Sequence, residues 1–144
     1  MVANIREIES GDFERVLELL EQLWPDKELN RNALLQLFSA CIRSPDILYL
    51  CAEIDDRMVG FCSLVIRESL RVEGHFAHID ELIIDEQHRR TGVGAELLEA
   101  ALAAAKKRGC KVIELDSALY REDAHRFYSK EGFEKKAYLF SKEL

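Results

Sequence analysis

No run of about 18 consecutive apolar residues occurs in the chain, so nothing in it reads as a membrane span. None of Cys41, Cys51, Cys62 and Cys110 belongs to a CxxC pair or has a histidine beside it. That removes the usual signs of a zinc site or a redox pair. The opening MVANIREIES lacks the basic-then-apolar pattern of a secretory leader. These absences together give the expectation of reduced thiols and a cytoplasmic location. There is no internal repeat and no low-complexity segment. Positive charge is not in excess either: the net charge is -7, which argues against a nucleic-acid surface and for a cationic or neutral partner.

What the chain does contain is the composition of a folded unit. Its 144 residues, 48% hydrophobic and 33% charged, are enough for one sizeable core and are expected to form a single domain over 1–144. A strand over 4–8 leads into Ser10, Gly11 and Asp12. Phe13, Val16, Leu17, Leu20, Leu23 and Trp24 then recur at helical spacing until Pro25. A second helix is capped by Asn30, carries Ala33, Leu34, Leu37, Phe38, Cys41 and Ile42, and stops at Ser44-Pro45. Strands over 47–54 and 58–68 meet in a hairpin at Asp55-Asp56-Arg57. A strand over 75–84 follows. A helix then runs to Lys106-Lys107-Arg108 and the stop at Gly109. A strand over 112–115, a helix over 123–130 and a last strand over 133–142, in which Tyr138 and Phe140 alternate, complete the chain. The strand-helix-strand unit over 75–115 makes a right-handed parallel crossover. The fold class is therefore α/β, a mixed, mostly antiparallel sheet with one parallel pair, flanked by about four helices.

The segment 80–108 organises the rest. Leu82, Ile83 and Ile84 end a strand, a polar run over 85–91 turns the chain, and Gly92, Val93 and Gly94 open a helix. Amides at a helix start lack partners, and the macrodipole adds partial positive charge there. Gly92 and Gly94 remove the Cβ atoms that would hold a phosphate off the backbone, while His88, Arg89 and Arg90 add donors. The loop reads as a pyrophosphate cradle; the bland alternative is a solvated strand-to-helix turn. Ala95 and Glu96 stand where a P-loop needs Lys and Ser or Thr, and Leu97 stands where a dinucleotide fingerprint needs a small residue.

The run Arg89-Arg90-Thr91-Gly92-Val93-Gly94 matches the R/Q-x-x-G-x-G/A signature of the GCN5-related N-acetyltransferases (GNAT), and the chain resembles that family. Over 75–144 the likeness narrows. Glu81-Leu82-Ile83-Ile84, the helix segment Asp123-Ala124-His125-Arg126-Phe127-Tyr128, Glu131-Gly132-Phe133-Glu134 and the ending Phe140-x-Lys142-x-Leu144 resemble the aminoalkylphosphonate N-acetyltransferases. The first half matches only in layout.

The resemblance implies acetyl-CoA as cosubstrate. Its pyrophosphate would lie on the amides of Arg89, Arg90, Thr91, Gly92, Val93, Gly94 and Ala95, and its pantetheine arm beside Leu82, Ile83 and Ile84, where the parallel pair sits. Arg121 replaces the family's common Asn and is expected to meet a CoA phosphate or the solvent; Glu86 replaces a common Pro. The implied reaction is direct acetyl transfer to the primary amine of a small molecule, an aminoalkylphosphonate on the narrower likeness.

Such a transfer needs a neutral nitrogen, a stabilised oxyanion and a proton for the departing thiolate. Glu81 is the candidate base. Strict alternation places it with Ile79 and Ile83, and puts Asp80, the other candidate, on the opposite face with His78 and Leu82. Tyr128 is the candidate acid, a phenol of ordinary pKa about 10 serving a thiolate of about 8.5 by local transfer. The first helical region would wall the acceptor site with Trp24, Asp26, Glu28 and Phe38, although core packing explains the two aromatics equally well. His75 and His78, three residues apart, face opposite ways in a strand, and His78 with Asp80 is the better pair; no metal is expected. No cysteine nucleophile is assigned. Two other functions stay open, a peptide or protein amine acetyltransferase and a non-catalytic CoA-binding sensor, as does a homodimer.

Overall fold

In a computed structural model, which describes residues 2–144, the first periodic run becomes helix α1 (Phe13–Leu23), with Phe13, Val16, Leu19, Leu20 and Leu23 buried along one face. Leu19, fully enclosed, joins the stripe that the spacing predicts. Burial of a leucine of this kind stabilises by roughly 1.5–3 kcal/mol. A short 3-10 turn over Ser10–Asp12 precedes α1, held by the Glu9 amide donating to Asp12 Oδ2 at 2.7 Å. Helix α2 (Arg31–Cys41) begins as predicted at Asn30, whose Oδ1 accepts from the Ala33 amide at 3.0 Å.

Strands β1 (Asn4–Glu7), β2 (Ile47–Ile54), β3 (Arg57–Ser69), β4 (Gly74–Ile84) and β5 (Cys110–Leu115) lie side by side in chain order. The first four are antiparallel neighbours. β5 runs parallel to β4, as the crossover through α3 (Val93–Lys107) requires. The β2–β3 turn has Asp55 at φ 51 and Asp56 at φ 61, the paired positive angles that match strand twist in a tight hairpin.

One sheet face carries α1 and α2 on a core that includes Phe38, Cys51, Met58, Phe61 and Ile83. The other carries α3, whose Val93, Leu97, Leu98, Ala101 and Ala105 are buried. Gly60 of β3 lets α3 approach: a Cβ there would come within 2.7 Å of Ile84 Cδ1 and 3.2 Å of Leu97 Cδ2.

The described residues up to Glu114 form one compact unit, and Leu115–Leu144 forms a second. The second holds α4 (Glu122–Lys130), closed by Gly132 at φ 93 and by the Phe133 amide returning to the Tyr128 carbonyl at 2.9 Å. The strand expected over 133–142 does not form. Alternation of Tyr138 and Phe140 is a side-chain pattern, whereas a strand needs a backbone ladder, and the sheet's five strands are β1 to β5. No helix among the described residues is long and apolar enough to cross a membrane.

Candidate active site

A bulge in β4 sets the position of the candidate base. Ser63 pairs with Glu81 and Leu64 with Ile79, so Asp80 is an extra residue between them. Ser63 and Leu64 are adjacent in β3 and point to opposite faces, and so must their partners. This corrects the alternation argument: Glu81 does not share a face with Ile79. His78, opposite Val65, lies on Glu81's side, and Asp80 meets it there, with His78 Nδ1 2.7 Å from Asp80 Oδ1. The pairing of His78 with Asp80 therefore holds.

Glu81 is fixed from both ends. The buried Ser63 hydroxyl donates to Glu81 Oε1 at 2.6 Å, and the Glu81 amide donates to Ser63 Oγ at 3.0 Å. Burial raises the Glu81 carboxyl above its usual range; the Ser63 bond opposes this, Asp80 adds to it, and His78 opposes it. A half-buried carboxylate pushed up in this way is suited to accept a proton near neutral pH.

Glu81 lines a cavity of about 390 Å³ bounded by α1, the 27–30 segment, α2 and the sheet, with Leu20, Leu34, Phe38, Tyr49 and Phe61 in its walls. Trp24, Glu28 and Phe38 of the expected acceptor wall border it, but Asp26 does not. Tyr49 stands edge-on to Phe61 with ring centres 5.3 Å apart. Burial first, then a hydrogen bond with Cys41, raise the Tyr49 phenol, so it stays protonated.

β4 leaves the cavity toward the phosphate-type loop. Leu82, Ile83 and Ile84 pair with Cys62, Phe61 and Gly60, and the Ile83 side chain belongs to the core. After a 3-10 turn over Glu86–His88, Arg89 Nε donates to the Ile84 carbonyl at 3.1 Å, and the Thr91 hydroxyl donates to the His88 carbonyl. Arg90 has φ 63 and Gly92 has φ 89, and nothing stands within 4 Å of a Cβ built on Gly92. No side chain caps α3, and the Glu96 amide is the first to bond back, to the Gly92 carbonyl at 3.1 Å. The amides of Val93, Gly94 and Ala95 thus have no intrahelical acceptor, and His88 Nδ1 is buried without a partner. An open left-handed glycine, uncapped amides and flanking arginines fit a diphosphate.

In the second unit, Tyr128 lies in α4 with its ring 5.3 Å from Phe127 and 5.8 Å from Phe133, both edge-on. Arg121 is the residue before that helix, and its carbonyl accepts from the His125 amide at 3.1 Å. All four cysteines are free. Burial pushes the Cys51 thiol up to about 11 and the Cys62 thiol up to about 12, so neither is a thiolate at neutral pH. No group of three or more metal-ligating side chains occurs among the described residues.

Sequence reasoning did not single out Ser63, Tyr49 or the bulge. A lone hydroxyl inside Phe61-Cys62-Ser63-Leu64-Val65 was the available sign for Ser63. Nothing in the sequence marks the bulge.

The model of the acetyltransferase (GNAT) family matches residues 3–133. The chain is 30% identical over 143 residues to an aminoalkylphosphonate N-acetyltransferase of Salmonella typhimurium, covering 99% of this chain and 92% of that protein. It is 28% identical over 132 residues to a glucosamine 6-phosphate N-acetyltransferase of Trypanosoma brucei brucei, covering 90% and 88%. Among solved structures, a Bacillus halodurans protein described as a transcriptional regulator is similar at TM-score 0.88 and 25% identity, over 99% of this chain and 100% of that one.

Proposed function

The chain belongs to the acetyltransferase (GNAT) family, and on that premise we propose that it acetylates the primary amine of a small molecule by direct transfer, as one catalytic domain over 1–144. Acetyl-CoA is the acetyl donor; it supplies the thioester whose carbonyl carbon gains the C–N bond as the C–S bond breaks. The observation that carries the reading is Glu81, a carboxylate with a raised pKa on the floor of a small-molecule-sized cavity. Both N-acetyltransferases named above are, by name, enzymes of small phosphorus-bearing amines.

In this reading Glu81 takes one proton from the bound ammonium, which frees the nitrogen lone pair for attack. The new amide nitrogen releases a second proton to solvent, and Tyr128 gives one to the departing sulfur and is refilled from solvent. The amides of Val93, Gly94 and Ala95, with Arg89, Arg90, Thr91 and Gly92, hold the diphosphate. The backbone of Leu82, Ile83 and Ile84 runs beside the pantetheine arm, and Arg121 meets a CoA phosphate. Asp80 is a weaker base candidate because it is exposed and already paired with His78.

The test is steady-state thiol release from acetyl-CoA with a panel of primary amines. Release that depends on the amine, and that drops by about 100-fold or more in Glu81→Gln, supports the reading. Release independent of any amine, or full activity in the variant, contradicts it.

A further inference from the structure

Resting on the acetyl-transfer reading, we infer that the acceptor is a monoamine with an apolar body, an alkyl or aryl-alkyl amine, because the cavity above Glu81 is walled by aliphatic and aromatic side chains and lacks an arginine.

The charges on its lining are Lys27, Glu28 and Glu81. One cation against two carboxylates favours a cationic guest and opposes a phosphonate or phosphate dianion, which is best held by paired, forked donors. Lys27 is a poor substitute, since its ammonium rests over the Trp24 ring, 5.6 Å from the centroid. The arginines of α1 and α2 are engaged elsewhere. Arg31 pairs with Glu14 and stacks over Phe13, and Arg15 is held by Asp85.

A guest rich in hydroxyls finds two of the neutral polar groups of the lining already engaged. Asn30 Oδ1 caps the Ala33 amide, and the Tyr49 hydroxyl is bonded to Cys41. What the walls do offer is a continuous apolar and aromatic surface: Leu20, Leu34, and the rings of Phe38, Tyr49 and Phe61, with Phe38 and Tyr49 centred 5.9 Å apart. An ammonium set at Glu81 stands in a cavity that the Tyr49 and Phe61 rings also line, so it meets aromatic surface as well as the carboxylate. Its hydrocarbon body would fill the space toward α2. Pockets of this volume ordinarily take small organic ligands whose orientation is fixed by a few polar groups.

The experiment measures kcat/KM with acetyl-CoA for propylamine, butylamine, hexylamine and 2-phenylethylamine, beside 2-aminoethylphosphonate, glucosamine 6-phosphate and kanamycin. The expected result is a rise of roughly three- to four-fold per methylene along the alkyl series. 2-Phenylethylamine should stand at least about tenfold above 2-aminoethylphosphonate. Leu37→Arg places a guanidinium at a lining position that is 60% exposed, where folding tolerates it; it should shift the ratio of these two toward the phosphonate. A flat alkyl series, preference for any phosphorylated or polyhydroxylated amine, or an unmoved ratio in Leu37→Arg overturns the apolar acceptor and leaves acetyl transfer standing. Acetylation of none of the amines overturns both.

Discussion

The Arg15 guanidinium donates from Nη2 to Asp85 Oδ2 at 2.6 Å and from Nε to the Met58 carbonyl at 2.8 Å, tying α1 to the first residue of the loop before α3. Gln22, two turns along α1, repeats the tie by accepting the Glu86 amide at 2.9 Å on Oε1. The helix that walls the cavity at Glu81 and the loop proposed to hold the diphosphate therefore share one frame. Burial alone would raise the Asp85 carboxyl, but the Arg15 guanidinium, the Gln87 amide and Gln22 hold it below the usual carboxylate range.

Removing one partner of this pair leaves a buried charge unpaired. Arg15→Met is expected to lose about 3 kcal/mol or more in urea unfolding at neutral pH, and adding Asp85→Asn should return part of that loss. The sign with pH follows from the depressed carboxyl. Its stabilisation is present above the unfolded value of about 3.9 and is lost as pH falls through the lower folded value. The gap between wild type and Arg15→Met should therefore narrow in acid; a constant gap would show that the pair is not the cause.

Glu81 behaves in the opposite sense. Its carboxyl is raised on folding, so its contribution is fully present below the unfolded value of about 4.3 and is lost as pH rises through the folded value. Glu81→Gln should be inactive yet melt higher than wild type at pH 7 to 8, with the advantage fading near pH 4. Equal melting temperatures across that range would remove the argument that burial strains the carboxylate.

Gly92 and Gly94 separate backbone strain from cofactor contact. Gly92→Ala faces open space but must hold φ 89, so it should cost about 1–2 kcal/mol of stability. Gly94→Val in the first turn of α3 should weaken CoA binding by about 100-fold or more by calorimetry, because its branches cover the free amides. Near-native circular dichroism is expected for both. Unaltered CoA affinity in Gly94→Val would refute the cradle.

Much of this arrangement can be read from residue order, and the failures have physical causes. Asn30 before a periodic run and Gly109 after a basic turn mark helix ends because capping is local. Positive φ at Asp55 and Asp56 belongs to a turn the sequence already flags. The loop from Arg89 to Gly94 is legible for the same reason: its chemistry lies within a few consecutive residues. The bulge at Asp80 is not, since it arises from register between β3 and β4, and without it strict alternation misplaces Ile79 and Asp80 relative to Glu81. The Arg15–Asp85 bond spans 70 residues of chain, beyond any local pattern. The strand expected over 133–142 shows the converse error, a persuasive side-chain alternation at Tyr138 and Phe140 without a ladder to support it.

Tyr128 tests the acid step separately from binding. Tyr128→Phe keeps the ring that packs against Phe127 and Phe133 and removes only the hydroxyl. Turnover should fall by about 100-fold or more, with CoA affinity within about threefold of wild type. Equal loss of both would sink the proton-donor role.

The most direct test of the central claim is a product balance: wild-type protein, acetyl-CoA and a primary amine are incubated, and free thiol, N-acetylated amine and protein mass are measured together by colorimetry and mass spectrometry. Direct transfer predicts one thiol for each acetylated amine, with no acetyl group on the protein at any time. Thiol release without acetylated amine, or an acetyl-protein that forms and decays during turnover, would contradict it.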